Sequence, residues 1–402
     1  MRRTMSPLDD IRVLDLTRLL PGPFASMLLA ELGAKVDKLE DTGAGDYLRN
    51  LPPQVDGINA LFRALNRGKR SLALNLKDPN AREALLSLLP HYDIVLEQFR
   101  PDVLTRLGLA PETLLARKPS LILCSISGYG QTGLLKARAG HDLNYLARGG
   151  VLGFQGPSGE PPTVPGFQVA DIGGALYAVS GILAALRVRD RSGVGAHLDI
   201  SMTEAAMGFA LSGFAVHLEG AAQASEGAAD PRGTTELVGG IAPYRTYETK
   251  DGRYVALAAL EPKFWLGFCA AVGIEQDASA LFLGPHQAAW ISRLEALFRS
   301  KSFAEWQALS EATDVCLEPV LNPLETLTDP HLTERGVFAK APDGARVFRS
   351  PLRQLADPTV VPQTTEAAVP GHGAHTETIL REAGVAEDLI ASLVPPKPVE
   401  KT

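Results

Sequence analysis

The hydrophobic positions in the first third of the chain switch between two periods. Short apolar runs, "IRVLDL" (11–16), "KVDKLE" (35–40), "SLALNL" (71–76), "DIVLEQF" (93–99) and "LILCSIS" (121–127), read as strands. Between them lie stretches with helical spacing: "PFASMLLAELG", which Gly33 closes, "DPNAREALLSLL", "DVLTRLG" and "ETLLARK". Asp78 is placed to cap the second of these, with Pro79 at its first position, where a missing N–H costs nothing. Strands alternating with helices predict an α/β fold with a parallel sheet covered on both faces.

The pattern changes further along. The run "IGGALYAVSGILAAL" (172–186) is uncharged over 15 residues and carries three glycines. A membrane-spanning helix needs about 20 apolar residues, so this run is expected to be a buried core helix. Residues 219–233, "EGAAQASEGAADPRG", are small and polar and read as a linker. After it, Asp251–Gly252 sits between two alternating runs in "APYRTYETKDGRYVALAAL", a hairpin signal. Residues 348–373 are proline-rich and read as extended, followed by one last helix, "HTETILREAG". The domains expected on this basis are 1–205, a linker at 206–234, a small domain at 235–330, and 331–402 returning to the first.

Composition narrows the function. The chain has 402 residues, 45% hydrophobic and 21% charged, as soluble globular proteins do. A net charge of −7 argues against a nucleic-acid partner, since neutralising phosphates needs a basic surface. The three cysteines form no CxxC pair, which suits a reducing compartment. No apolar signal follows "MRRTMSPLDD" and "PVEKT" is no address or lipidation signal, so a cytoplasmic protein without a membrane partner is expected.

Four residues stand out for chemistry. His141 and Asp142 open "AGHDLNYLARGG", Asp171 precedes the apolar helix in "GFQVADIGGALY", and Glu261 ends the run "VALAALEPKFW". Each has a plain structural reading, for Asp171 that of a helix N-cap. "GYGQTG" (128–133) fits GxGxxG, but no long helix follows to face a pyrophosphate, so it reads as a tight glycine loop. "GHGAHT" offers His372 and His375 without a third ligand, so no metal site is expected and loop and capping roles are.

Together the segments resemble the family III coenzyme A transferases, and within them the α-methylacyl-CoA racemases. "LDLTRLLPGPFASMLLAELGAKV", "NRGKRSLALNLK", "EQFRPDVLTRLGL", "SGYGQTG", "AGHDLNY", "ALEPKFW", "ATDVCLEPVL" and "GAHTETILREAG" carry the likeness in order. The resemblance implies catalytic roles for His141 and Asp171, with Glu261 partnering the histidine and Arg100 near the thioester. It implies coenzyme A contacts at Leu74, Asn75, Leu76, Lys77, Phe99, Arg106, Gly140, Asp142, Asn144 and Tyr145. It also implies a Rossmann-like large domain made from both chain ends, a smaller inserted α+β domain and an interlocked homodimer. The chain departs from the pattern at "TTELVGG" (234–240), and near Asp41, where a nucleotide-contacting arginine is replaced.

The residue types fit proton transfer beside a thioester. Removing a weakly acidic α-proton takes a poised base and a stabilised enolate oxygen, and inverting the carbon takes an acid/base group on each face. His141 and Asp171 supply such a pair on an acyl-CoA substrate, with no cofactor beyond the coenzyme A that the substrate itself carries. The alternatives are transfer of coenzyme A between acids through an anhydride on Asp171, and a non-catalytic acyl-CoA binder.

Overall fold

The apolar runs become strands of one parallel sheet: β1 (Arg12–Asp15), β2 (Lys35–Glu40), β3 (Arg70–Ala73), β4 (Ile94–Glu97) and β5 (Ile122–Ser127), with β6 (Ala196–Ser201) at the edge. Their spatial order is β3-β2-β1-β4-β5-β6, that of the doubly wound nucleotide-binding folds. β4 and β5 are buried at every position, as strands covered on both faces must be, whereas β6 alternates between half-buried and exposed until the buried Ser201 at its end. This is a computed structural model, and it describes residues 6–223, 230–341, 344, 346–349, 351–352 and 368–394.

Connecting helices follow the predicted signals. α1 (Pro21–Glu31) and α2 (Ala60–Asn66) precede α3 (Pro79–Leu88), whose first turn is capped by the Asp78 carboxylate accepting from the Asn80 N–H at 2.9 Å. α4 (Val103–Arg106) and α5 (Pro111–Arg117) lead into β5, and α6 (Asp142–Arg148) and α7 (Val169–Ser192) precede β6. At 24 residues, α7 is longer than the 15-residue run suggested, and by length and composition it could cross a membrane. It is not fully buried as expected: Ala170, Gly174, Ala178 and Ile182 pack inward, while Leu176, Tyr177 and Val188 are exposed. Arg189 ties its far end to Asp93 at 2.8 Å.

The chain divides into two compact units at other points than composition suggested. The first draws on residues 1–149, 167–209 and 330–402, and the second on 150–166 and 210–329. The expected linker at 206–234 is largely helical: α8 (Met202–Phe209) belongs to the first unit and α9 (Leu211–Gln223) to the second. Small residues misled there, because alanine favours helix as strongly as it fills linkers. Residues 224–229 of that stretch lie outside the described residues.

The second unit is built on an antiparallel sheet, β7 (Tyr244–Glu248), β8 (Tyr254–Ala258) and β9 (Leu317–Pro319), with the predicted hairpin turn at Asp251–Gly252. Helices α10 (Pro262–Val272), α11 (Gln287–Phe298) and α12 (Phe303–Ala312) surround an aromatic core of Tyr247, Trp265, Phe268, Phe298 and Trp306. In the first unit the chain end returns to β3. Gly373 donates to Ser71 Oγ at 2.8 Å, and α13 (Thr376–Glu382) is followed by a second helix, α14 (Glu387–Leu393), where one was expected. At the edge of the stretch expected to be extended, Phe348 ends a short strand, Arg346–Phe348, that pairs with Phe338–Lys340, and most of 350–367 lies outside the described residues.

Candidate active site

A cavity of about 500 Å³ opens at the carboxyl ends of β1 to β4, where the strand order reverses. Parallel sheets leave a crevice at that point, and ligands bind there. Leu16–Arg18 line it after β1, Leu39–Thr42 at the end of β2 and just beyond, Leu74–Lys77 after β3 and Phe99 after β4. The coenzyme-A-contacting residues expected at Leu74, Asn75, Leu76, Lys77 and Phe99 are thus brought together. Thr17, Arg18 and Asp46 were not singled out from sequence, and Asp41 only as the neighbourhood of a replaced arginine; their places beyond the ends of parallel strands are the signal that could have found them.

Ionised side chains buried behind this wall hold it in shape. The Lys38 ammonium donates to the Thr17 carbonyl at 2.7 Å and pairs with Asp46 at 3.0 Å. Lys69 pairs with Asp15 at 3.3 Å and donates to Ser26, Pro23 and Asn66, while Thr17 and Ser26 donate to the same aspartate. Burial alone would raise the pKa of Asp15, but Lys69 and Lys38 more than offset it and hold the carboxyl below its ordinary value. Glu40 behaves likewise: burial is overcome by the Arg49 guanidinium and the Asp46 N–H, and its pKa falls to about 2.

Three of the residues expected in catalysis, His141, Asp171 and Arg100, lie at the start of α6, in α7 and in the turn after β4. His141 is exposed at the N-cap of α6, its backbone N–H bonded to the Asn144 side chain at 3.0 Å. Asp171 is in the first turn of α7 and is not its cap, contrary to the plain reading of the sequence. The capping carboxylate is Asp142, whose Oδ1 accepts from Ala170 N–H at 2.7 Å and Asp171 N–H at 3.0 Å. A longer-range acceptor has taken the position that local sequence offered to Asp171. Burial, and then the Asp142 charge, push the Asp171 pKa up to about 7.

Tyr145 is the hub of this corner. Its hydroxyl donates to the Gly140 carbonyl at 2.6 Å, and its ring meets Tyr129 edge-on at 5.2 Å. A side chain at Gly140 would put Cβ 2.7 Å from that ring, and one at Gly128 would overlap it, which accounts for glycine in both motifs. Burial raises the phenol to about 12, with Asp171 adding to the rise and Arg100 opposing it, so both groups act on the same hydroxyl. Phe99 is propped by Glu97, whose Oε2 accepts from Phe99 N–H at 2.7 Å.

Other expected residues are placed differently. Arg106 lies on an exposed side of α4 and is not in the cavity wall. Glu261 belongs to the second unit, exposed at the N-cap of α10 just before Pro262. "GYGQTG" forms a loop held by Thr203, which donates to the Gly128 carbonyl from both N–H and hydroxyl, and no helix begins before Asp142. His372 bonds the Asp41 carbonyl at 2.8 Å, and the His375 ring accepts from Ser71 N–H at 3.2 Å. Among the described residues, no three His, Cys, Asp or Glu side chains cluster as a metal site would require. In "TTELVGG", Gly240 packs so tightly on the Thr234 backbone that a Cβ would lie 2.5 Å from its carbonyl carbon.

The sequence model described as CoA-transferase family III matches residues 8–376. The chain belongs to that family. Among family III relatives, the Mus musculus protein named alpha-methylacyl-CoA racemase is 37% identical over 391 residues, covering 96% of each chain. Succinyl-CoA:glutarate CoA-transferase of Mus musculus is 32% identical over 341 residues, 83% of this chain and 76% of that one. A crystal structure of a CAIB/BAIF family protein from Brucella suis superimposes with a TM-score of 0.80 at 29% identity, covering 94% of this chain and all of that one.

Proposed function

We propose that this family III protein is a racemase that inverts the α-carbon of 2-methylacyl-CoA thioesters through an enolate. The observation that carries the reading is geometric: Asp142, the residue after His141, bonds the N–H groups of Ala170 and Asp171, which brings the two candidate bases to one corner, where burial raises the Asp171 carboxyl. Near neutral pH such a carboxyl is available as either acid or base, and an acid/base exchanger needs both forms. In this scheme His141 and Asp171 each serve one face of the α-carbon, and Arg100 lies toward the thioester. Glu261 keeps the supporting role that the resemblance gives it. The cavity takes the nucleotide portion of coenzyme A, with Arg18 and Lys77 as its cations and Leu74, Leu76 and Phe99 as its apolar wall.

The similarity to a CoA-transferase supports a second reading, in which Asp171 attacks the acyl-CoA and coenzyme A passes to another acid. The higher identity to the racemase, over more of the chain, favours the first. The wild-type protein in deuterated buffer, with a 2-methylacyl-CoA and no acceptor acid, is expected to exchange its α-proton. Turnover that strictly requires an acceptor acid would replace the racemase reading with the transferase one, and tight binding without any turnover would leave a binder.

We also propose the interlocked homodimer. Leu176, Tyr177 and Val188 of α7 and Phe209 of α8 are exposed apolar residues of the kind an obligate interface covers. Dilution to nanomolar concentration is expected to yield no folded monomer in sedimentation or light scattering. A stable folded monomer would refute the interlocking.

A further inference from the structure

We propose that Asp142 is a positioning residue for Asp171: the carboxylate next in sequence to His141 grips the first turn of the helix that carries Asp171. The proposal rests on the two-base reading above and says how the pair is set.

The geometry is specific. Gln168, at the N-cap of α7, makes no side-chain bond to the helix, so the first turn is closed from outside. Asp142 closes it with one oxygen shared between the N–H groups of Ala170 and Asp171, 28 and 29 residues away in sequence. The same residue is the first of α6, whose N-cap is His141. One side chain therefore ties the backbone of one proposed base to the chain neighbour of the other.

The grip also has an electrostatic consequence. An aspartate in the first turn of a helix is ordinarily stabilised as an anion, because the free N–H groups and the helix dipole favour negative charge there. Here two of those N–H groups are already bound to a different carboxylate, and the Asp142 charge stands close by. Burial is the larger cause of the raised Asp171 pKa and Asp142 the second. Of the other titratable groups, Tyr145 of α6 interacts with it, and α6, packed on α7, also carries Arg148. The remaining elements packed on α7 add Glu31 of α1, Glu204 of α8, Cys124 of β5, and His197 and Asp199 of β6.

Two substitutions separate grip from charge. Asp142→Asn keeps an oxygen that can accept both N–H groups but removes the charge. The acid limb of kcat/KM, for the enantiomer deprotonated at Asp171, is expected to move to lower pH. Asp142→Ala removes the grip as well, and exchange of both enantiomers is expected to fall by on the order of 10²-fold, as misplaced reacting groups do. Titration of the Asp171 carboxyl, read as an infrared difference between wild type and Asp171→Asn, is expected to show the same downward move in the Asp142→Asn background. An unmoved Asp171 titration in Asp142→Asn would overturn the proposal even if Asp142→Ala failed to fold. Absence of α-proton exchange in the wild type would instead overturn the two-base reading, while the titration still decided the role of Asp142.

Discussion

His141→Ala is expected to lose α-proton exchange on one enantiomer of a 2-methylacyl-CoA by about 10²–10⁴-fold, the usual cost of removing a general base. Exchange on the other enantiomer should survive, because Asp171 can still take a proton from the opposite face. Asp171→Ala should show the reverse preference, and Asp171→Asn should do so with less disturbance of the first turn of α7. The check is deuterium wash-in on separate (R) and (S) thioesters with each variant. Equal losses on both enantiomers in every variant would show that the two residues are not opposed bases. Full activity of His141→Ala in the presence of an acceptor acid would instead hand the protein to the transferase reading, in which the histidine has no role.

Lys69→Met should destabilise the first unit by about 3–5 kcal/mol, because it leaves the buried Asp15 without its nearest charge partner. Both side chains are inaccessible to solvent, and Thr17 and Ser26 alone cannot replace an ammonium. Adding Asp15→Asn should recover much of the loss, since a neutral amide costs far less to bury than an unpaired carboxylate. Trp265, Trp290 and Trp306 all lie in the second unit, so fluorescence would follow the wrong part of the chain. Hydrogen exchange at the amides of β1 and β3 reads the effect directly. A loss below about 1 kcal/mol would mean that Lys38 and the two hydroxyls already satisfy Asp15. Because Thr17 joins this network and lines the cavity, a real loss should also weaken acyl-CoA binding.

Local patterns made much of the first unit legible. The five apolar runs became five strands, Asp78 capped α3, and Asp251–Gly252 turned the hairpin, because each signal acts between residues a few positions apart. The family, too, was readable from ordered motifs. The cavity was half visible: Leu74–Lys77 and Phe99 were expected in it, whereas Thr17, Arg18, Asp41 and Asp46 join it only because β1 and β2 end beside β3 and β4.

What the amino-acid sequence determined by itself, then, was the kind of most elements in the first third of the chain, and the family. Where those elements meet was decided in three dimensions. Strand order depends on pairings between distant segments, such as Val13 between Val36 and Ile94, that no local period encodes. The alanine-rich stretch after residue 206 joins helices, because propensity and packing outweighed its linker-like composition. Asp171 had every local qualification for an N-cap and lost that place to Asp142. Once the fold brings a carboxylate from another helix onto the same N–H groups, the bond that forms is set by geometry and burial, not by nearness along the chain.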